Sequence, residues 1–72
     1  MKSLRARLGR RIRELRMKKG WSQEELADRA GLHRTYVGSV ERGERNTTLE
    51  SMSVFAKTLG IKLIDLVRGI DD

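Results

Sequence analysis

The fold is decided by residues 20–43, which read GWSQEELADRAGLHRTYVGSVERG. Ser22 and Glu25 have the spacing of a capping box at a helix N-terminus, and Trp21 and Leu26 have the spacing of the hydrophobic staple that accompanies it. The pattern therefore predicts a helix that starts at Ser22 and runs to Ala30.

The residues that follow predict a tight turn and a second short helix. Ala27 is small where two crossing helices approach closely, and Gly31 tolerates the positive φ that a tight turn requires. The second helix is expected from His33 to Arg42, with Gly43 ending it. Two short helices joined in this way form a helix-turn-helix.

Helical spacing of apolar residues continues on both sides of this stretch. A preceding helix that ends at Gly20 is indicated by Leu4, Leu8, Ile12 and Leu15. Thr47 and Glu50 suggest a second capping box, which starts a fourth helix. Its expected core residues are Leu49, Met52, Phe55, Ala56 and Leu59. A fifth helix is expected over 61–68, with a frayed tail over 69–72. The fold class is therefore all-α, with five helices in one domain over residues 1–72.

Charge is concentrated in the first helix. The 72 residues carry 16 Lys and Arg against 10 Asp and Glu, a net charge of +6. Residues 1–19 alone contain nine basic side chains and one acidic side chain, so the remainder of the chain is slightly acidic. The positive electrostatic field of such a helix attracts any polyanion, whatever its sequence. We expect Arg5, Arg10, Arg11, Arg13 and Lys19 to supply it.

Composition also excludes several classes of function. The chain has no cysteine and a single histidine, His33, so neither a metal site nor a thiol redox site is expected. No apolar run is long enough for a membrane span or a signal peptide. No nucleophile and base can be paired, and no Gly-rich phosphate loop follows a strand. We therefore expect a cytoplasmic protein that is not an enzyme and has no cofactor or small-molecule ligand.

The motifs G-W-S-Q-E-E-L-A, the Gly31 turn and V-E-R-G resemble the Xre family of Cro-like and phage-repressor-like DNA-binding domains, from roughly Leu8 to Leu66. A narrower match, H-R-T-Y-V followed by E-R-G-E-R-N-T-T-L, is similar to the controller proteins of restriction-modification systems. The resemblance implies a lambda-repressor-like fold, with the helix-turn-helix at about 22–42 and a dimerisation segment at about 54–70. Its implied partners are double-stranded DNA and a second copy of the chain.

The second helix of the motif is expected to be the recognition helix, which contacts the DNA bases. With Val37 and Val40 in the core, a rotation of 100° per residue turns Thr35, Gly38, Ser39 and Arg42 outward. We predict base contacts from Arg34, Thr35, Tyr36 and Ser39, since the start of this helix enters the major groove. The alternative is a solvated polar face. Tyr36 either fills the domain edge or packs against sugar and base edges.

The DNA backbone is expected to meet the ends of both motif helices. Gln23 matches the family position that binds a phosphate, and a helix N-terminus favours an anion. The predicted backbone contacts are Gln23, His33, Arg42, Arg45 and Asn46. The resemblance also places Arg16 and Glu41 in a partly buried ion pair between the first and third helices. This pair would fix the orientation of the third helix, which is the recognition helix.

Apolar residues in the C-terminal segment exceed what one short helix can turn inward. We expect a two-fold dimer through this segment, with Val54, Leu63, Ile64 and Val67 at the interface. The sequence thus predicts a homodimeric transcriptional regulator that binds a pseudo-palindromic operator, in the manner of a restriction-modification controller. An Xre-type antitoxin and a nonspecific basic module for RNA or membrane surfaces are the alternatives.

Overall fold

The computed structural model describes residues 3–71, and all regular secondary structure in that range is helical. The five helices are α1 Leu4–Lys18, α2 Gln23–Ala30, α3 Arg34–Glu41, α4 Leu49–Leu59 and α5 Leu63–Val67. This confirms the all-α, five-helix prediction. Residues 1, 2 and 72, which belong to the predicted domain, lie outside the described residues.

The start of α2 is capped as predicted, whereas the start of α4 is not. The Ser22 hydroxyl accepts from the Glu25 backbone N–H at 3.0 Å. In α4 the cap is Thr48, whose hydroxyl accepts from the Ser51 N–H at 3.0 Å. The predicted capping box of Thr47 and Glu50 is therefore wrong by one residue, because adjacent threonines can serve as caps equally well.

The core lies between the helices: α1 packs on α3, α4 and α5, α2 packs on α3 and α4, and α4 packs on α5. Its fully buried large side chains are Ile12, Leu26, Val37, Val40, Phe55 and Leu66. Leu49, which was expected in the core, is 61% exposed, and Leu4, which belongs to the apolar pattern of α1, is 56% exposed. Both are the first residues of their helices. Because side chains of a helix tilt toward its N-terminus, the first residue points past the end of the core.

Two glycines permit unusually close contacts around α3. A Cβ at Gly9 of α1 would lie against the carbonyl oxygen of Val40 and 2.6 Å from that of Glu41. Gly43, just after α3, has φ +74°, and a Cβ there would lie 2.7 Å from the Cα of Ala6. The backbones of α1 and α3 therefore touch, and only glycine allows this separation.

The C-terminal segment is held against α1 by arginine side chains. Arg7 donates to the carbonyl of Ile70 and Arg11 to that of Asp65, each at 3.0 Å. Ile70 is half-buried against the core. The expected frayed tail is therefore wrong at Ile70, and Arg11 acts within the fold rather than as part of a diffuse surface charge. No helix within residues 3–71 is long and apolar enough to cross a membrane.

Candidate nucleic-acid interface

The turn between α2 and α3 brings the start of α3 to the surface. Gly31 adopts φ 70° and ψ 31°, the left-handed conformation that the sequence predicted. The Leu32 N–H then returns to the Ala27 carbonyl at 2.9 Å. Ala27 is buried, as expected for a close crossing. His33 follows in an extended conformation as the N-cap of α3, and it is exposed.

The exposed part of α3 is confined to its first turn. Arg34 and Thr35 are exposed, and Val37 and Val40 are buried. The outward orientation predicted for Gly38 and Ser39 is wrong, since both are buried. Helical rotation alone cannot show this, because the covering groups belong to other segments.

Those covering groups come from α2 and from the residues after α3. A Cβ at Gly38 would meet Arg42 Nη1 at 3.1 Å and Gln23 Oε1 at 3.3 Å. The Ser39 hydroxyl donates to the Tyr36 carbonyl at 2.8 Å and accepts from Arg45 Nε at 3.2 Å. Ser39 is only 8% exposed, and its hydroxyl is already bonded to Arg45. The prediction of Ser39 as a base contact is therefore wrong.

Tyr36 joins the edge of α3 to the core. Its ring stacks on Phe55 with centroids 6.4 Å apart and planes 13° apart. The Arg45 guanidinium lies 5.4 Å from the centroid of the Tyr36 ring, within the range of a cation–π contact. Tyr36 is half-buried. It therefore fills the domain edge and still presents part of its surface to solvent.

An ion pair fixes α3 against α1. Arg16 donates through Nε to Glu41 Oε2 at 2.7 Å and through Nη2 to Glu41 Oε1 at 3.0 Å. Only 11% of the Arg16 side chain and 2% of the Glu41 side chain are exposed. The hydrogen bonds from Arg16 to Glu41 raise the pKa of the guanidinium, so Arg16 remains protonated.

Further hydrogen bonds extend this pair to α2. Gln23 Nε2 donates to Glu41 Oε1 at 3.1 Å, and Arg16 Nη1 donates to the Trp21 carbonyl at 2.8 Å. One carboxylate thus receives donors from two other helices. Glu41 is buried, and Arg16 and Gln23 are half-buried. We call these three residues the polar triad. It orients both helices of the motif relative to α1.

Several predicted contact residues share one groove beside the start of α3. This groove of about 560 Å³ is lined by Gly31, Leu32, His33, Thr35, Tyr36, Arg45 and Ser51. Ser51, in the first turn of α4, was not expected at this surface, because no local sequence signal relates α4 to the start of α3. Asn46 is exposed in the preceding loop.

Arg42 stands apart from the groove, at the end of α3 that faces α1. It is exposed and donates to Glu44 at 3.0 Å, and this hydrogen bond raises its pKa. It lines a second groove together with Arg10 and Arg13 of α1. The predicted backbone contacts therefore lie at two places, with His33 and Arg45 beside the start of α3 and Arg42 at its C-terminal end.

The four predicted interface residues differ in their exposure. Val54 and Ile64 are 37% and 63% exposed. Leu63 and Val67 are half-buried and pack against the core. A partner could therefore reach Val54 and Ile64 most directly, while Leu63 and Val67 also stabilise the single chain.

Comparison with known proteins agrees with this architecture. Residues 12–66 match the helix-turn-helix family model. Control protein C.SmaI of Serratia marcescens is 47% identical over 60 residues, which cover 83% of this chain and 71% of that protein. The crystal structure of the restriction-modification controller protein C.AhdI from Aeromonas hydrophila has 49% identity and a TM-score of 0.82, covering 85% of this chain and 92% of that one.

A third relative was solved on DNA. The controller protein C.Esp1396I, as a tetramer in complex with its natural 35 base-pair operator, has 31% identity and a TM-score of 0.79, covering 93% of this chain and 97% of that one. The protein described here therefore belongs to the Xre-type helix-turn-helix family, in the group that contains the restriction-modification controller proteins.

Proposed function

We propose that this protein is a sequence-specific transcriptional regulator that binds a pseudo-palindromic operator as a homodimer and controls its own restriction-modification operon. The observation that carries this proposal is the exposed first turn of α3, on a helix that the polar triad fixes against α1 and α2. The family and the operator complex of C.Esp1396I support it. The protein would act in the cytoplasm by occupying DNA, without catalysis.

Direct reading of bases would fall to Arg34 and Thr35, with Tyr36 beside them. Arg34 can donate two hydrogen bonds to guanine, and Thr35 offers a hydroxyl and a methyl group. Gln23, His33, Arg42, Arg45 and Asn46 are the proposed backbone contacts. Arg45 suits this role well, because Ser39 and Tyr36 already restrict its side chain before DNA arrives.

We predict that Arg34→Ala weakens binding to the operator by about 1–3 kcal/mol and changes binding to random DNA little, because a bidentate base contact is lost. Fluorescence anisotropy with an operator duplex and a scrambled duplex measures both. Arg42→Ala is the matched control, and it should weaken binding to the two duplexes by similar factors. An equal loss on both duplexes for Arg34→Ala would make Arg34 a backbone contact.

The dimer would form through the surface that Val54 and Ile64 expose. We predict that Ile64→Asp raises the dimer dissociation constant by at least about 30-fold, since a charge would be placed in an apolar interface. Analytical ultracentrifugation at up to tens of micromolar protein measures the dimer dissociation constant. Leu49→Asp is the matched control, because Leu49 is equally exposed at the far end of α4. The proposed interface is wrong if Ile64→Asp sediments like the wild type, or if both variants dissociate alike.

A two-fold dimer presents its recognition helices about one helical turn of DNA apart, so the half-sites should lie about 10 bp centre to centre. The relatives reported above are controller proteins, and the comparisons give the antitoxin alternative no support. The nonspecific basic module predicts equal affinity for the two duplexes, so the anisotropy experiment also tests that alternative.

A further inference from the structure

An ion pair joins the two helices of the motif at their exposed ends. Arg34 Nη1, in the first turn of α3, donates to Glu24 Oε2, in the first turn of α2, at 3.3 Å. The two side chains are 71% and 65% exposed. Glu24 thus places a negative charge beside the side chain proposed to read a base.

The fold does not account for this pair. Ion pairs with such exposure contribute little or nothing to stability, because water screens them and two long side chains must be ordered. A carboxylate on this surface also opposes binding to any polyanion. The pair therefore has an unfavourable consequence for DNA affinity and no compensating structural role.

We propose that Glu24 is a specificity-determining residue that positions Arg34 for guanine and opposes its capture by phosphates. This inference rests on the proposed function, in which Arg34 contacts a base. Glu24 acts through Arg34, so it is a positioning residue.

Hydrogen-bond geometry explains why the effect would differ between operator and random DNA. A guanidinium has five N–H donors, and Glu24 accepts from one nitrogen, Nη1. Enough donors remain for the N7 and O6 acceptors of guanine while the ion pair stays intact. A phosphate contact that turned the Arg34 guanidinium away from Glu24 would leave this carboxylate unpaired beside a polyanion. Like charges brought together in this way disfavour the wrong partner.

Glu24→Gln tests the proposal because it removes the charge and keeps the side-chain shape. The probes are a duplex enriched from a random-sequence pool by the wild-type protein and a scrambled duplex of the same composition. Binding is measured by anisotropy from about 50 to 200 mM salt. We expect affinity for the scrambled duplex to rise about tenfold and affinity for the enriched duplex to rise less than about threefold.

The salt dependence gives a readout that a structural role would not change. When Arg34 is free to bind phosphate, the slope of log K against log salt for the scrambled duplex should steepen by about one. The double variant Glu24→Gln, Arg34→Ala should lose this increment. The melting temperature of Glu24→Gln should equal that of the wild type.

Glu25→Gln is the matched control, since Glu25 adjoins Glu24 and pairs with Arg29 within α2. It changes net charge equally, so it should raise affinity for both duplexes by the same factor. If Glu24→Gln behaves like Glu25→Gln while the wild type discriminates the duplexes, the inference is wrong and the proposed function stands. A wild type that enriches no sequence would overturn the proposed function, and this inference with it.

Discussion

Replacing Glu41 with alanine should lower the free energy of unfolding by about 3–5 kcal/mol, which is the usual cost of removing one member of a buried ion pair. Arg16 would keep its charge with 11% of its side chain exposed, and Gln23 would lose an acceptor. Urea denaturation followed by circular dichroism measures the change. Protein concentration must be held constant, because dimerisation contributes to apparent stability.

The double replacement Arg16→Met, Glu41→Leu is the informative control. It removes both charges and retains apolar volume, so we expect its stability to lie much closer to that of the wild type. A double variant as unstable as Glu41→Ala would assign the loss to packing. An unchanged urea midpoint for Glu41→Ala would show that burial of this pair does not matter to the fold.

Gly9→Ala should destabilise the domain by at least about 2 kcal/mol, although alanine favours a helix by about 1 kcal/mol over glycine. The new methyl group would meet the carbonyl oxygens of Val40 and Glu41. Since these are backbone atoms, α1 and α3 would have to move apart. Thermal unfolding monitored by circular dichroism detects a change of this size.

Gly38→Ala provides a control with the same chemistry at the second helical glycine. Its Cβ would lie 3.1 Å from Arg42 Nη1 and 3.3 Å from Gln23 Oε1, which are ends of flexible side chains. We expect the stability of this variant to remain level or rise by up to about 1 kcal/mol. Equal destabilisation by both substitutions would contradict the proposed backbone contact at Gly9.

The features that could be predicted from the sequence are those that depend on neighbouring residues. The Ser22 cap, the left-handed Gly31 and the buried pair of Val37 and Val40 each follow from local spacing. Helix ends shifted by only one or two residues, as at α5, where Leu63 begins a shorter helix than expected. Local spacing does not distinguish two adjacent residues that could each cap a helix, such as Thr47 and Thr48.

The features that could not be predicted depend on contacts between distant segments. Ser39 faces outward by helical rotation, yet Arg45 covers it. Gly9 lies inside a regular helical pattern, and nothing local indicates that another backbone touches it. Glu24 has no role in the local sequence pattern, and only the fold places it beside Arg34.

The contacts that α1 makes with α3 and with the C-terminal segment have a consequence for operator architecture. Helix α1 meets α3 at Gly9 and holds the segment after α4 through Arg7 and Arg11. The recognition helix α3 and the proposed dimer surface therefore belong to one rigid unit. One added base pair rotates a half-site by about 35° around the duplex axis. A dimer of two rigid subunits cannot bend to match this rotation, so the DNA would have to untwist to bring both half-sites into contact.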